Sequence, residues 1–246
     1  MLTVSRTLFA PKEGNTDAQY EDAFAVCDAA LPTRLTIAVS DGASSAGYAR
    51  EWANLLAGHF ATDGALPADE GALLNRVLAL GMQWRASVSG GATSWYAQEK
   101  LEGGSAATLL VARFDTEAKQ LEAFCVGDVC LFLVRNNRLR FGFPNSRAAQ
   151  FSNHPDLLST EPVGTRQAPR LHRFSTVIEP GDRCFICTDA LAQYFLTRFE
   201  TKREKPWQEL PRSQEELAAW LAPKRDFGAI KNDDVTLLEV AYTAPA

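Results

Sequence analysis

The chain has 246 residues, of which 46% are hydrophobic and 22% are charged, and its formal net charge is −5. This is an ordinary globular composition, and its acidic balance argues against a surface for nucleic acid or anionic membranes. No segment reaches the ~20 apolar residues of a membrane span, and the N-terminus lacks a signal-peptide core, so we expect a cytoplasmic protein. Five cysteines, an odd number, are typical of free thiols in a reducing compartment.

The predicted strands are short runs rich in Val, Ile, Leu, Phe and Thr, bounded by turn residues. In chain order they cover residues 22–28, 35–40, 105–114, 121–126, 129–135, 171–178, 183–188 and 235–241. From residue 105 to 141 the breaks between strands are so short that they predict antiparallel hairpins, including one at Gly127-Asp128.

Apolar residues at helical spacing predict helices over 46–62 and 69–88, between the early strands and the meander. Two later helices are expected over 190–199 and 213–221, the second opened by a capping box of Ser213 and Glu216. Strand runs and helix runs are segregated along the chain. This order predicts the α+β class, with antiparallel sheet packed face to face and helices outside.

The length allows one or two domains, and we expect a single domain over residues 1–246. The polar, aperiodic stretch 143–167 is predicted to be a functional loop over a site. Cys184 and Cys187 fall in one predicted strand, where three-residue spacing places them on opposite faces. We therefore expect two inert buried thiols and neither a zinc nor a redox site.

Carboxylates recur where predicted strands begin or end, at Glu21-Asp22, Asp41, Asp128, Asp189 and Asp233-Asp234. Asp is common in turns, which explains any one of these positions without a function. Five together at one rim of a sheet repel one another unless cations lie between them. Oxygen-only ligands suit Mg²⁺ or Mn²⁺, and the three histidines are too scattered to form a competing zinc site.

Six short motifs follow one another along the chain: Glu21-Asp22, Asp41-Gly42, residues 103–108 (GGSAAT), Val126-Gly127-Asp128, Thr188-Asp189 and 233–236 (DDVT). In this order they resemble the motifs of the metal-dependent protein phosphatases of the PPM/PP2C family. The resemblance covers about residues 10–240, and DGASSAGYAR is most similar to the bacterial branch. It implies a four-layer α-β-β-α sandwich and dephosphorylation of serine or threonine in signalling. It also implies two Mn²⁺ or Mg²⁺ ions bridged by an aspartate and a water.

The resemblance assigns a role to each matching residue. Asp41 is implied to bridge the two ions, with the Gly42 carbonyl on one ion and with Asp189 and Asp233 on the other. Glu21 and Asp22 match a pair that binds a metal or its waters, and Asp128 matches a position that can hold a third ion together with Asp189. The segment 143–167 lies where the family carries its flap.

Three departures from the family pattern stand out. Asp17 occupies the position of the arginine that usually holds the substrate phosphate, for which Lys12 is the nearest upstream cation. Ala190 replaces a usual glycine, and Ala43 replaces a histidine that animal members carry.

These departures leave two functions open. The first is an active phosphatase acting on a phosphoprotein, such as a Ser/Thr kinase or its target. The second is a catalytically weak or inactive module that binds a phosphoprotein or regulates a kinase. An N-terminal nucleophile hydrolase is disfavoured because residue 2 is leucine.

Overall fold

The computed structural model describes residues 1–28, 33–90, 95–161 and 168–244. Part of the predicted flap, 162–167, therefore lies outside the described residues. The strands are β1 Leu2–Ala10, β2 Ala23–Asp28, β3 Arg34–Ser40, β4 Ala106–Ala107, β5 Leu109–Asp115, β6 Gln120–Val126, β7 Cys130–Arg135, β8 Arg138–Phe143, β9 Leu158–Ser159, β10 His172–Val177, β11 Arg183–Cys187 and β12 Val235–Tyr242. The helices are α1 Ala49–Asp63, α2 Glu70–Ser89, α3 Trp95–Glu102, α4 Asp189–Lys202 and α5 Gln214–Asp226.

Within the described residues, two five-stranded antiparallel sheets carry the fold. One has the order β1-β12-β11-β7-β8 and the other β10-β6-β5-β3-β2. Central strands such as β5, β7 and β12 are buried on both faces because each sheet is covered on both sides, whereas the edge strands β8 and β10 stay partly exposed. Alternate residues such as Ile37, Leu131 and Ile186 fill the layer between the sheets.

The helices form the two outer layers. Trp52 and Phe60 of α1 and Trp84 of α2 pack on the β3-β5-β6 side, with Leu73, Val77 and Leu80 of the predicted stripe. On the other sheet, α4 and α5 bury Phe195 and Leu217 against β7, β11 and β12. The predicted α+β class and the α-β-β-α order implied by the resemblance are both confirmed.

The predicted hairpin at Gly127-Asp128 is wrong. The chain does form hairpins between β5 and β6 and between β7 and β8, but β6 and β7 belong to different sheets. Gly127 has φ +99°, and a Cβ there would lie 2.5 Å from Thr108 Cγ2, so glycine fits this tight passage. The residues around Asp128 therefore cross from one sheet to the other. The apolar pattern does not distinguish a hairpin from such a crossing.

Two local predictions have mixed outcomes. Cys184 and Cys187 are buried on opposite faces of β11, in different core clusters, as predicted. Ser213 is the N-cap residue of α5, but its side chain accepts no helix N–H and the capping box does not form. The Glu216 carboxylate instead accepts the amide of Arg212 at 2.7 Å.

Candidate metal centre

Strand register brings five carboxylates to one end of the sandwich. Asp22 precedes β2 and Asp41 follows β3, and these strands pair at Ala23 and Ser40. In the facing sheet Cys187 pairs with both Cys130 and Leu237. The residues just beyond these pairs are Asp128 in the crossing, Asp189 at the start of α4 and Asp233 before β12.

A pocket of about 340 Å³ opens between these strand ends. Asp41, Gly42, Asp128, Asp189 and Asp233 line it. A wall from the predicted flap, including Ser152, Asn153, His154 and Leu157, lines the other side. The structure thus brings these five predicted residues to one cavity, whereas Asp22, Glu21 and Lys12 do not line it.

Asp41 is held by the backbone around it. Its N–H donates to Thr108 Oγ1 at 3.0 Å, and its carbonyl accepts the Thr108 N–H at 2.9 Å. At Gly42 a Cβ would lie 2.7 Å from the Glu21 carbonyl and 3.0 Å from that of Ala49. Glycine is therefore required by close backbone approach, which explains why Asp-Gly stands between a strand and a helix.

Asp22 lies beneath the pocket and is 2% exposed. One oxygen accepts the Thr236 hydroxyl at 2.6 Å, and Oδ1 is buried without a hydrogen-bond partner. A buried carboxylate oxygen without a partner is costly, so a cation or water is expected beside it. Tyr20 contacts the same Thr236 hydroxyl.

Asp234 has a different position from its neighbour Asp233. Its two oxygens accept the backbone N–H groups of Lys12, at 2.8 Å, and of Glu21, at 2.6 Å. These bonds tie the N-terminal loop to the start of β12 and fix the backbone of Glu21-Asp22. Asp234 is thus a positioning residue for the pocket.

Burial and repulsion by neighbouring acids raise the pKa of Asp22, Asp41, Asp128 and Asp189. For Asp41 burial contributes most, followed by the charges of Asp22, Asp189, Asp128 and Asp233, so its pKa lies well above the usual range. Burial and the Asp189 charge raise the pKa of Asp128 to about 7. Such repulsion shows that the carboxylates share one electrostatic site.

Glu21 and Lys12 lie at the rim. The Lys12 ammonium is 3.0 Å from Ser44 Oγ and 3.5 Å from Glu21 Oε2, and the Ser44 hydroxyl donates to the same carboxylate. Ser44 lines the pocket, so Lys12 reaches the cavity through it. Asp17, at the family's arginine position, is exposed on a 3-10 turn.

Two ionisable residues that line the pocket are not among the site residues predicted from the sequence. Lys231 lies 2.7 Å from Asp233 Oδ2 and 3.4 Å from Asp189 Oδ2, and His154 stands on the flap wall. In the sequence, Lys231 lies next but one to two acids, in KNDD, and this proximity could have indicated Lys231 as a site residue. Nothing in the pattern of the long loop distinguishes His154.

The flap wall is anchored to the helical layer. Trp52 Nε1 donates to the Leu158 carbonyl at 2.8 Å, and the Ser105 N–H donates to Thr160 Oγ1 at 2.9 Å. A Cβ at Gly81 of α2 would lie 2.7 Å from the Thr160 carbonyl, so helix and flap are in close contact. The described end of the flap is therefore fixed to the body of the domain.

The donor set fits hard divalent cations, because the pocket offers carboxylates and a backbone carbonyl and a buried Asp22 oxygen lacks a partner. Across the described residues, no three His, Cys, Asp or Glu side chains already form a finished ligand set. None of the described helices is long and apolar enough to cross a membrane.

Comparison with known proteins agrees with this architecture. The model of the Protein phosphatase 2C family matches residues 14–224, and no curated protein sequence matches the chain. The photosystem II phosphatase PBCP has a TM-score of 0.60 at 18% identity, covering 100% of both chains. A bacterial serine phosphatase has 0.61 at 16% identity, covering 98% of each.

The catalytic domain of the serine/threonine phosphatase PstP, in complex with two manganese ions, has a TM-score of 0.57. It is 19% identical, and 99% of each chain is covered. At such identities these structures establish the fold, and the family match covers most of the sequence. The chain therefore belongs to the protein phosphatase 2C family.

Proposed function

We propose that this protein is a serine/threonine phosphoprotein phosphatase that hydrolyses phosphomonoesters with two Mn²⁺ or Mg²⁺ ions. The observation that carries the proposal is the convergence of carboxylates from both sheets on one open pocket. The pKa values of Asp41, Asp128 and Asp189 are raised by burial and by the charges of neighbouring acids. Such a group is stable in its ionised form only with cations among its members.

Five residues would hold the two ions, and two further residues would have additional roles. Asp41 would bridge the ions, with Asp189 and Asp233 on one of them and Glu21 and the Gly42 carbonyl on the other. Asp22 would hold a metal-bound water, and Asp128 with Asp189 would take a third, looser ion. When bound, the two ions supply a hydroxide nucleophile near neutral pH and positive charge at the phosphoryl oxygens.

Other residues position the substrate. Lys12, with Ser44, places an ammonium at the rim, where it would attract the phosphate as a point charge without the fork of an arginine. The flap wall at 152–157 limits access from one side of the pocket. A phosphorylated side chain of a protein, such as a Ser/Thr kinase or its target, is the substrate class that we propose.

A second candidate is a weakly active or inactive module that binds a phosphoprotein or regulates a kinase. It is favoured by the exposed Asp17 in place of the family arginine and by the ammonium of Lys231 on two of the proposed ligands. The two candidates differ in turnover and share the metal centre.

The experiment measures hydrolysis of p-nitrophenyl phosphate and of a phosphothreonine peptide with Mn²⁺. We expect turnover that EDTA abolishes and that Asp41→Asn lowers by at least about a hundredfold. The control is Asp63→Asn, which changes a half-exposed acid paired with Arg76 outside the pocket and should keep full activity. Bound Mn²⁺ without turnover would favour the second candidate.

A further inference from the structure

Lys231 occupies the oxygens that the proposed metal centre needs. Both Asp189 and Asp233 use one carboxylate oxygen for a backbone N–H: Asp189 Oδ1 accepts from Ala190 at 2.6 Å, and Asp233 Oδ1 accepts from Asp234 at 3.1 Å. The other oxygen of each faces the Lys231 ammonium, at 3.4 Å and 2.7 Å. One ammonium therefore takes both remaining oxygens.

Lys231 is also the main positive charge of the cavity. Among the described residues that line the pocket, it is the only Lys or Arg, facing Asp41, Asp128, Asp189 and Asp233. Its side chain is 51% exposed and lies on the short segment between α5 and β12. A long, half-exposed side chain can leave the pair without unfolding its surroundings.

A divalent ion and this ammonium compete for the same two oxygens. An ion between Asp189 and Asp233 would bind within a few ångströms of the lysine charge, and like charges at that distance repel. The lysine must therefore move before these two carboxylates hold an ion. This agrees with the lack of a finished ligand set in the described part of the chain.

We propose that Lys231 is an internal counter-ion that stabilises the Asp189–Asp233 pair in the metal-free protein and competes with the divalent ion for it. The inference rests on the proposed metal centre. It makes the Asp189–Asp233 site weaker than it would be without the lysine charge. Lys231 then sets the concentration at which an ion enters this site.

The test is calorimetric titration of the metal-free protein with Mn²⁺, comparing the wild type with Lys231→Met, which keeps the length and removes the charge. We expect the Mn²⁺ affinity of the Asp189–Asp233 site to rise by about tenfold or more, while the affinity of the other site changes less. The melting temperature in EDTA should fall, because Asp189 and Asp233 lose their counter-ion. Lys202→Met, at the exposed end of α4, is the matched control and should change neither value.

A variant that keeps the positive charge distinguishes the loss of charge from a structural effect of replacing the lysine side chain. Lys231→Arg should bind Mn²⁺ as the wild type does, and tighter binding by this variant would overturn the proposal. Unchanged or weaker binding by Lys231→Met would also overturn it, while leaving the metal centre in place. If neither the wild type nor Lys231→Met bound Mn²⁺, the proposed metal centre would be wrong, and the proposed competition would be wrong with it.

Discussion

Strand β11 carries a buried or half-buried carboxylate at each end, and the two ends differ in what surrounds the acid. Before the strand, Asp182 accepts two hydrogen bonds from Arg135, at 2.7 and 2.8 Å, and one from the Glu179 N–H at 2.9 Å. After it, Asp189 faces three other acids and one half-exposed ammonium. The first acid has a two-pronged guanidinium partner, whereas the second shares a single half-exposed ammonium with Asp233.

This difference separates an acid with a structural partner from the acids of the proposed metal centre. A buried carboxylate with a two-pronged guanidinium partner needs nothing from solution. A group of carboxylates whose pKa values rise through burial and mutual repulsion stores an unfavourable energy that a bound cation relieves. The two ends of β11 should therefore respond in opposite ways to loss of the negative charge.

The largest effect is expected from Asp189→Asn. It should lower Mn²⁺ affinity and phosphatase turnover by at least about a hundredfold, since second-sphere changes alone reach that range. The metal-free protein should be no less stable, because a repelled charge is removed. Titration calorimetry and thermal unfolding in EDTA check both. If Asp189→Asn kept its Mn²⁺ affinity, or became less stable without metal, the two ends of β11 would not differ as proposed.

Asp182→Asn should show the reverse pattern. Removing one member of a buried ion pair leaves Arg135 with only the exposed Glu179 carboxylate, at 2.8 Å, as an acidic partner, at a cost of about 3 kcal/mol. For a chain of this size that is a fall in melting temperature of roughly 6–12 °C. Mn²⁺ affinity, measured below the melting temperature, should be unchanged. A change in affinity would mean that the paired end is coupled to the pocket.

The pH dependence of stability sharpens the comparison without a mutation. Asp128 has a pKa raised to about 7 in the folded protein, above its usual ~4 in the unfolded chain. The metal-free folded protein therefore binds more protons than the unfolded one in this window, and its stability falls as pH rises from ~4 to 7.

We expect a higher melting temperature at pH 5.5 than at pH 7.5 in EDTA, by a few degrees. Saturating Mn²⁺ should reduce or reverse this difference, since metal binding displaces protons. Asp128→Asn should flatten the metal-free dependence. Thermal unfolding across this pH range is the measurement, and a melting temperature that rises steadily to pH 7.5 without metal would contradict the expectation.

The smallest effect concerns the rim. Lys12 and Glu21 form a partly exposed pair at 3.5 Å, and such pairs contribute about 0–1 kcal/mol. Lys12→Met should thus change the melting temperature little and raise KM several-fold if Lys12 attracts the phosphate. Steady-state kinetics check this, and an unchanged KM would remove Lys12 from substrate binding.

The sequence is enough to predict the layers of this fold but not all of its connections. The hydrophobic spacing of α1 and α2 and the double-faced apolar strands follow directly from burial in a four-layer sandwich. β1 is missed because its residues alternate irregularly between polar and apolar, with a register shift between Val4 and Arg6. The crossing at Asp128 is missed because sheet membership depends on tertiary packing.

The candidate site, like the fold, could be predicted only in part from the sequence. Acids at strand ends are visible in the sequence because register carries them to one rim. The KNDD motif places Lys231 near two acids in sequence, but the contact of its ammonium with Asp189 and the position of His154 on the flap wall depend on how a loop and a flap fold back on that rim. The positioning role of Asp234 is equally hidden, since its partners are backbone N–H groups more than 200 residues away.

Anomalous diffraction from a crystal soaked in Mn²⁺ tests the shared metal centre most directly. We expect two manganese peaks in the pocket, both within bonding distance of Asp41, with Asp189 and Asp233 on one and the Gly42 carbonyl on the other. A map with no manganese among these residues, at a concentration that supports turnover, would contradict the account.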